Sequence, residues 1–172
     1  MHITAEEFAK NAHLGQMYGE VPYWHHLRDV VGILADFGFT GRWSDAGWVH
    51  DTPEEPGVAE DTLRSLFGEW VRATVHACYG VGKFRRWRNA DMYNRLIVRP
   101  EAARLKVADR ISHIEAAVAG TSKTRMYLKE RPEFDAHVVC YAPYEMRQRL
   151  EAGYDRLAHQ ERVLRKQERA NK

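Results

Sequence analysis

His50 and Asp51 are neighbours, and the residues just before them, Gly47-Trp48-Val49, are apolar. This places an imidazole and a carboxylate at the end of a helix that faces the interior. A charge there must be paired, or bound to a cation, to offset its desolvation. The dyad alone says little, because nine histidines make one chance His-Asp neighbour about an even bet. Two further residues supply matching chemistry. His26 opens an amphipathic stretch directly after Pro22-Tyr23-Trp24, with His25 as the alternative donor one position away. Asp109 sits at the edge of the apolar stripe marked by Leu105, Ala108, Ile111 and Val118. Two imidazoles and two carboxylates form a hard-to-borderline donor set suited to Mn²⁺, Fe²⁺ or Zn²⁺. Four protein donors leave positions open for water, as catalytic metal sites require.

The stretches around these residues occur in a definite order: Ala12-His13-Leu14-Gly15-Gln16, Pro22-Tyr23-Trp24-His25-His26, Val49-His50-Asp51-Thr52-Pro53-Glu54-Glu55, Leu66-Phe67-Gly68 and Lys106-Val107-Ala108-Asp109-Arg110. Over roughly residues 5–118 this succession resembles the HD hydrolase domain of the RelA/SpoT type, which includes small stand-alone alarmone hydrolases. The part from Gly82 through Arg110 also resembles small bacterial and phage HD phosphohydrolases. The resemblance implies an all-α, single-domain HD-type helical bundle spanning residues 1–172. It would have an HD core over about 5–118 and a C-terminal helical extension over about 120–172.

The implied metal ligands are His26, His50, Asp51 and Asp109, holding one divalent ion, Mn²⁺ first among the candidates. Glu54 and Glu55 fall where the family's acidic pair positions and deprotonates the attacking water. Lys106, Arg110 and His113 flank Asp109 and are assigned to substrate. The implied activity is hydrolysis of a phosphate or pyrophosphate ester of a nucleotide, with a (p)ppGpp-like 3′-pyrophosphate as the leading substrate. A different nucleotide, NADPH, or a non-catalytic nucleotide sensor are the alternatives. The chain departs from the alarmone hydrolases at three places. Met17-Tyr18-Gly19 stands where a basic residue is usual, the acidic pair is Glu-Glu, and His113 replaces an asparagine.

Lys83-Phe84-Arg85-Arg86-Trp87-Arg88 interleaves cations with aromatic rings. Such a segment can wall a pocket for a phosphorylated nucleotide, bind nucleic acid, or form a solvated charge run. It lies between two donor-bearing stretches, so Lys83, Arg85 and Arg86 are assigned to the nucleotide. A net charge of +2 gives no general case for nucleic acid. His13 reads as a packed, hydrogen-bonded histidine.

Positioning these groups falls to helices. Thr4-Ala5-Glu6-Glu7 fits a capping box, predicting a helix to about Gln16. Helical periodicity continues over about 25–37, 43–50, 59–67 and 69–79, with Gly38, Gly68 and Gly80 as stops. After a basic loop, a helix from about Asn89 precedes Pro100, and Pro100 starts another to Val118. Residues 122–140 are expected to be helical with a break near Pro132, and 144–167 form a last helix. No stretch alternates as a half-buried strand does. No apolar run approaches the roughly 20 residues of a membrane span, and the first residues lack a signal peptide's pattern, so a cytoplasmic protein is expected. Cys78 and Cys140 are in no metal-ligand spacing and are expected reduced. The aromatic residues beyond position 120 are expected to pack on the core or form a homodimer face.

Overall fold

The structure, a computed structural model, describes residues 3–171. Helix α1 (Ala5–Ala12) starts at the expected capping box, with the Thr4 hydroxyl accepting from the Glu7 amide and the Glu7 carboxylate accepting from the Thr4 amide. It ends earlier than the predicted Gln16. The chain turns instead into a hairpin of two-residue strands, β1 (Met17–Tyr18) and β2 (Val21–Pro22), paired antiparallel with Tyr18 opposite Val21. No strand was expected, because strands this short carry no readable alternation.

Helices α2 (Trp24–Asp36) and α3 (Arg42–Val49) follow, and then α4 (Glu60–Cys78) after a 3₁₀ turn over Thr52–Glu54. Within α4, Gly68 adopts φ 86°, so the element is two helical segments meeting at the predicted glycine. Helix α5 (Arg85–Val98) begins four residues before the predicted Asn89, so the basic segment forms its first turn rather than a loop. A 3₁₀ turn at Pro100–Ala102 leads into α6 (Ala103–Glu115), which stops short of Val118. Helix α7 (Ser122–His137) runs unbroken through Pro132, contrary to the expected interruption. The proline removes one donor, and helix on either side carries the chain across it. Helix α8 (Tyr144–Ala170) completes the described chain.

Helix α6 is the central element. It packs against α2 on one side and α8 on the other, and nine of its thirteen residues are buried. One continuous apolar core runs from Ala5 through Val30, Leu34, Val49, Leu105 and Ile111 to Phe134, Leu150, Tyr154 and Leu157. The close approach of α2 and α3 depends on Gly47, where a Cβ would come 2.8 Å from Val31 Cγ2. Cys78 is buried with its thiol donating to the Ala102 carbonyl oxygen, and burial pushes that thiol up to about 12. Cys140 is exposed, and both cysteines are free. Among the described residues no helix is long and apolar enough to cross a membrane.

Candidate metal centre and adjoining cavity

The first turn of α2, the end of α3 and the middle of α6 converge on one point. His26 is buried at the start of α2, with Nδ1 3.0 Å from the Ser112 hydroxyl on α6. His50 caps the C-terminal end of α3, and its Nδ1 lies 2.8 Å from the Gly47 carbonyl oxygen. A carbonyl only accepts, so the hydrogen is on Nδ1 and Nε2 presents a lone pair. Asp51 follows directly, its Oδ2 accepting from the Tyr23 hydroxyl at 2.6 Å. Asp109 is held at Oδ2 by the Lys106 ammonium, 2.8 Å away.

The remaining atoms of these four residues face one another. His50 Nε2 is 3.2 Å from Asp51 Oδ2 and 3.8 Å from Asp109 Oδ1. His26 Nε2 is 3.3 Å from Asp109 Oδ1 and 3.6 Å from Asp51 Oδ2. Donors about 2.0–2.2 Å from a shared ion stand roughly 2.8–3.6 Å apart. His26 Nε2, His50 Nε2 and Asp109 Oδ1 are buried without a hydrogen-bond partner. Such groups are costly to leave unsatisfied. Their donor types, spacing and lack of partners fit a divalent cation. His25 is not among these donors: it stacks on Trp24 at 3.9 Å and lines the cavity that adjoins them.

The electrostatics express the same demand for positive charge. Burial alone would lower the basicity of His50, but the Asp51 and Asp109 carboxylates outweigh it and push His50 up to about 10. His26 is raised in the same way, burial being outweighed by Asp109 and Asp51. Burial would raise Asp109, yet Lys106 and His113 hold it well below the usual carboxylate range. Asp51 is likewise held low, burial being outweighed by His50 and His26.

The two glutamates after the dyad are placed differently. Glu54 is at the rim, where burial and then the Asp51 charge raise its carboxyl above the ordinary range. Glu55 is tied to the turn between α1 and β1, its Oε2 accepting from Gln16 Nε2 at 2.5 Å and its Oε1 3.5 Å from His13 Nδ1. His13 is buried, stacked on Tyr23 at 4.6 Å, with Nδ1 bonded to Gln16 Oε1.

A cavity of about 950 Å³ adjoins the centre, walled by Tyr18, Tyr23, His113, Tyr127, Arg85 and Lys123 among others. His113 and Arg85 are the two substrate candidates that line it. Arg85 donates to both oxygens of Glu130, at 2.5 and 3.0 Å. Lys106 lies beside the centre, paired with Asp109. Arg110 is buried, its guanidinium 4.1 Å from the Phe134 ring and 4.6 Å from the Tyr127 ring, and it donates to the Tyr154 hydroxyl. Lys83 and Arg86 are exposed and lie against Phe84 and Trp87. Sequence reasoning missed Tyr18, Tyr23, Ser112, Lys123 and Tyr127. The polar-aromatic pair Tyr23-Trp24 ahead of His26 was the one available hint.

No family model matches the chain. It is 31% identical over 140 residues to a guanosine-3′,5′-bis(diphosphate) 3′-pyrophosphohydrolase of Aquifex aeolicus, covering 77% of this chain and 20% of that protein. It is 29% identical over 146 residues to a probable chloroplastic GTP diphosphokinase of Arabidopsis thaliana, covering 78% and 20%. The chain thus spans about one fifth of the length of the curated relatives it matches. A solved structure described as a metazoan ortholog of SpoT that hydrolyses ppGpp superposes with a TM-score of 0.74, covering 88% of this chain and 92% of that one at 16% identity. In sequence and in fold, the chain is therefore similar to HD-domain proteins of the RelA/SpoT kind.

Proposed function

We propose that this protein is a metal-dependent phosphohydrolase that removes the 3′-pyrophosphate from a (p)ppGpp-type nucleotide. The observation that carries the proposal is the trio of buried, unpartnered donors aimed at one point beside a nucleotide-sized cavity. The name of the Aquifex relative supports the substrate. His26, His50, Asp51 and Asp109 would hold one divalent ion, with Mn²⁺ as the proposed metal. Bound there, it supplies positive charge against the phosphoryl oxygens and makes water a better nucleophile at neutral pH.

The chain's own groups do the rest. The Glu54 carboxylate accepts the proton from the attacking water. The water oxygen bonds to the phosphorus attached at the 3′ position and the bond from that phosphorus to the 3′ oxygen breaks. The 3′ oxygen takes up the proton that Glu54 accepted and becomes a hydroxyl, and the attacked group is released as pyrophosphate. Lys123 and Arg85, in the cavity wall, hold phosphate oxygens. Glu55 positions the neighbouring loop through Gln16 and His13. Residues 1–172 act as one domain, because a single core joins the 5–118 region to α7 and α8. We place the protein in the cytoplasm, where its nucleotide would be.

The test is release of phosphate and pyrophosphate by the purified protein with Mn²⁺, with Asp51→Ala as control. The panel holds guanosine tetraphosphate, nucleoside mono-, di- and triphosphates, and NADPH. Pyrophosphate from the alarmone, lost in the variant, is the expected result. Turnover of another nucleotide alone would move the substrate and keep the centre. Silence across the panel in metal-loaded protein would overturn the hydrolase and leave a nucleotide sensor.

A further inference from the structure

Two rings beside the centre, Tyr18 on the hairpin and His113 on α6, touch each other and also touch two of the four proposed donors. His113 Nε2 lies 3.1 Å from Asp109 Oδ1. A carboxylate oxygen only accepts, so the imidazole hydrogen is on Nε2, and the Nδ1 lone pair accepts the Tyr18 hydroxyl at 2.7 Å. The Nε2 contact is electrostatic rather than an aligned hydrogen bond, and Asp109 Oδ1 remains without a hydrogen-bond partner.

The same two rings, their centroids 5.7 Å apart, lie together on one side of the His26 imidazole. His113 stacks on it at 4.5 Å with planes 10° apart, and Tyr18 stacks on it at 5.0 Å with planes 18° apart. Ser112 holds the remaining nitrogen of that ring. With Nδ1 bonded and its face covered, His26 has little freedom to swing Nε2 away.

We propose that Tyr18 and His113 act as one positioning pair, fixing the His26 imidazole and the Asp109 carboxylate in their metal-binding arrangement. This rests on the metal centre proposed above. His113, His26 and Asp109 also stand close enough together to hold a cation, and in this proposal His113 takes the orienting role rather than that of a fifth donor. An imidazole lone pair lies in its ring plane, so two stacked, nearly parallel rings are poorly placed to direct both lone pairs at one ion about 2.1 Å away. Groups that orient metal ligands in this way typically change metal affinity about 10–100-fold when removed. Tyr18 comes from the hairpin, so the pair also couples the β1–β2 turn to the centre.

The test is a Mn²⁺ titration of the full chain, without substrate, for Tyr18→Phe, His113→Phe, His113→Gln and the double variant Tyr18→Phe/His113→Phe. Tyr18→Phe removes one hydroxyl and keeps the ring, and its unfolding temperature is recorded alongside. Each of Tyr18→Phe and His113→Phe is expected to weaken binding about ten-fold, with the double variant no weaker than His113→Phe alone. His113→Gln, which keeps an N–H donor near Asp109, is expected to recover part of the loss. The Co²⁺-loaded variants should keep the wild-type ligand-field spectrum in shape, because no donor is lost.

Wild-type affinity in Tyr18→Phe would overturn the pair, as would losses that multiply in the double variant. A changed Co²⁺ coordination spectrum in His113→Phe would overturn it in favour of a fifth donor. Metal-loaded protein that turns over no nucleotide would defeat the proposed function while leaving these affinities to stand or fall by themselves.

Discussion

The Lys106 ammonium and the Asp109 carboxylate meet at 2.8 Å, one turn apart on α6, and this contact leaves Asp109 Oδ1 directed at the two buried imidazoles. Lys106 therefore serves the ligand before it serves any phosphate. Lys106→Met is expected to lower Mn²⁺ affinity about 10–100-fold. It also takes the nearest cation from a buried carboxylate that keeps only imidazole neighbours, which costs up to about 3 kcal/mol in metal-free protein. Metal titration and thermal unfolding check both effects. A raised KM with unchanged metal affinity would instead make Lys106 a phosphate-binding group.

Metal should act as a structural ligand as well as a catalytic one. With free Mn²⁺ at a hundred times its Kd, stability is expected to rise by about 2.7 kcal/mol, or roughly 5–10 °C in Tm for a chain of this size. Chelation should reverse the shift, and Asp51→Ala should abolish it. Scanning fluorimetry with and without chelator decides the matter.

The cavity separates the cations that line it from those that do not. Lys123 lines it, with its ammonium 4.7 Å from the Tyr18 ring centre. Lys123→Ala is expected to raise KM about ten-fold, equivalent to roughly 1.4 kcal/mol, with a smaller effect on kcat. Arg86 lies over Phe84 and Trp87 at the surface, so Arg86→Ala should stay within about two-fold of wild type. Steady-state kinetics on the two variants provide the comparison, and equal losses would extend the binding surface to the first turn of α5.

An acid-sensitive tie sits away from the centre. Glu60 accepts from the Tyr79 hydroxyl, His76 Nδ1 and Arg72 Nη1. Burial would raise its carboxyl, but these three partners outweigh it and lower the group to about 2. A depressed folded-state pKa stabilises the fold above the unfolded value, and the contribution fades as pH falls through the folded one. Glu60→Gln should therefore unfold a few degrees below wild type at pH 6, for a loss of about 1 kcal/mol. The gap should shrink steadily between the ordinary glutamate range and pH 2. A gap that persists unchanged at the acid end would mean that packing, not charge, holds this corner.

The donor residues were readable because each has a local signature. His50-Asp51 follows an apolar run, and His26 rather than His25 has the helical phase of Leu27, Val30 and Leu34, which are buried with it. Asp109 lies about 100° round α6 from Ala108, enough to leave the apolar stripe. Arg110 is a further 100° on, which turns it among Tyr127, Phe134 and Tyr154 rather than toward a phosphate. That orientation depends on α7 and α8, whose placement no local pattern encodes. Tyr18 reaches the centre from a hairpin too short to alternate, and Lys123 comes from a helix without a clean apolar stripe. Long-range packing supplies the cavity wall, whereas local periodicity supplies the proposed donors.

The central position of α6 has a consequence for the order in which the protein can be made. Three of the four donors lie within the first 51 residues, but the fourth is residue 109, and the helix that backs it, α8, spans Tyr144–Ala170. A chain leaving the ribosome N-terminus first carries three proposed donors before it can close the cage, and α8 follows α6 later still. Closure of the proposed centre therefore waits on α6 and its backing by α8 waits longer, so a chain cut between the two would carry every proposed donor without that support.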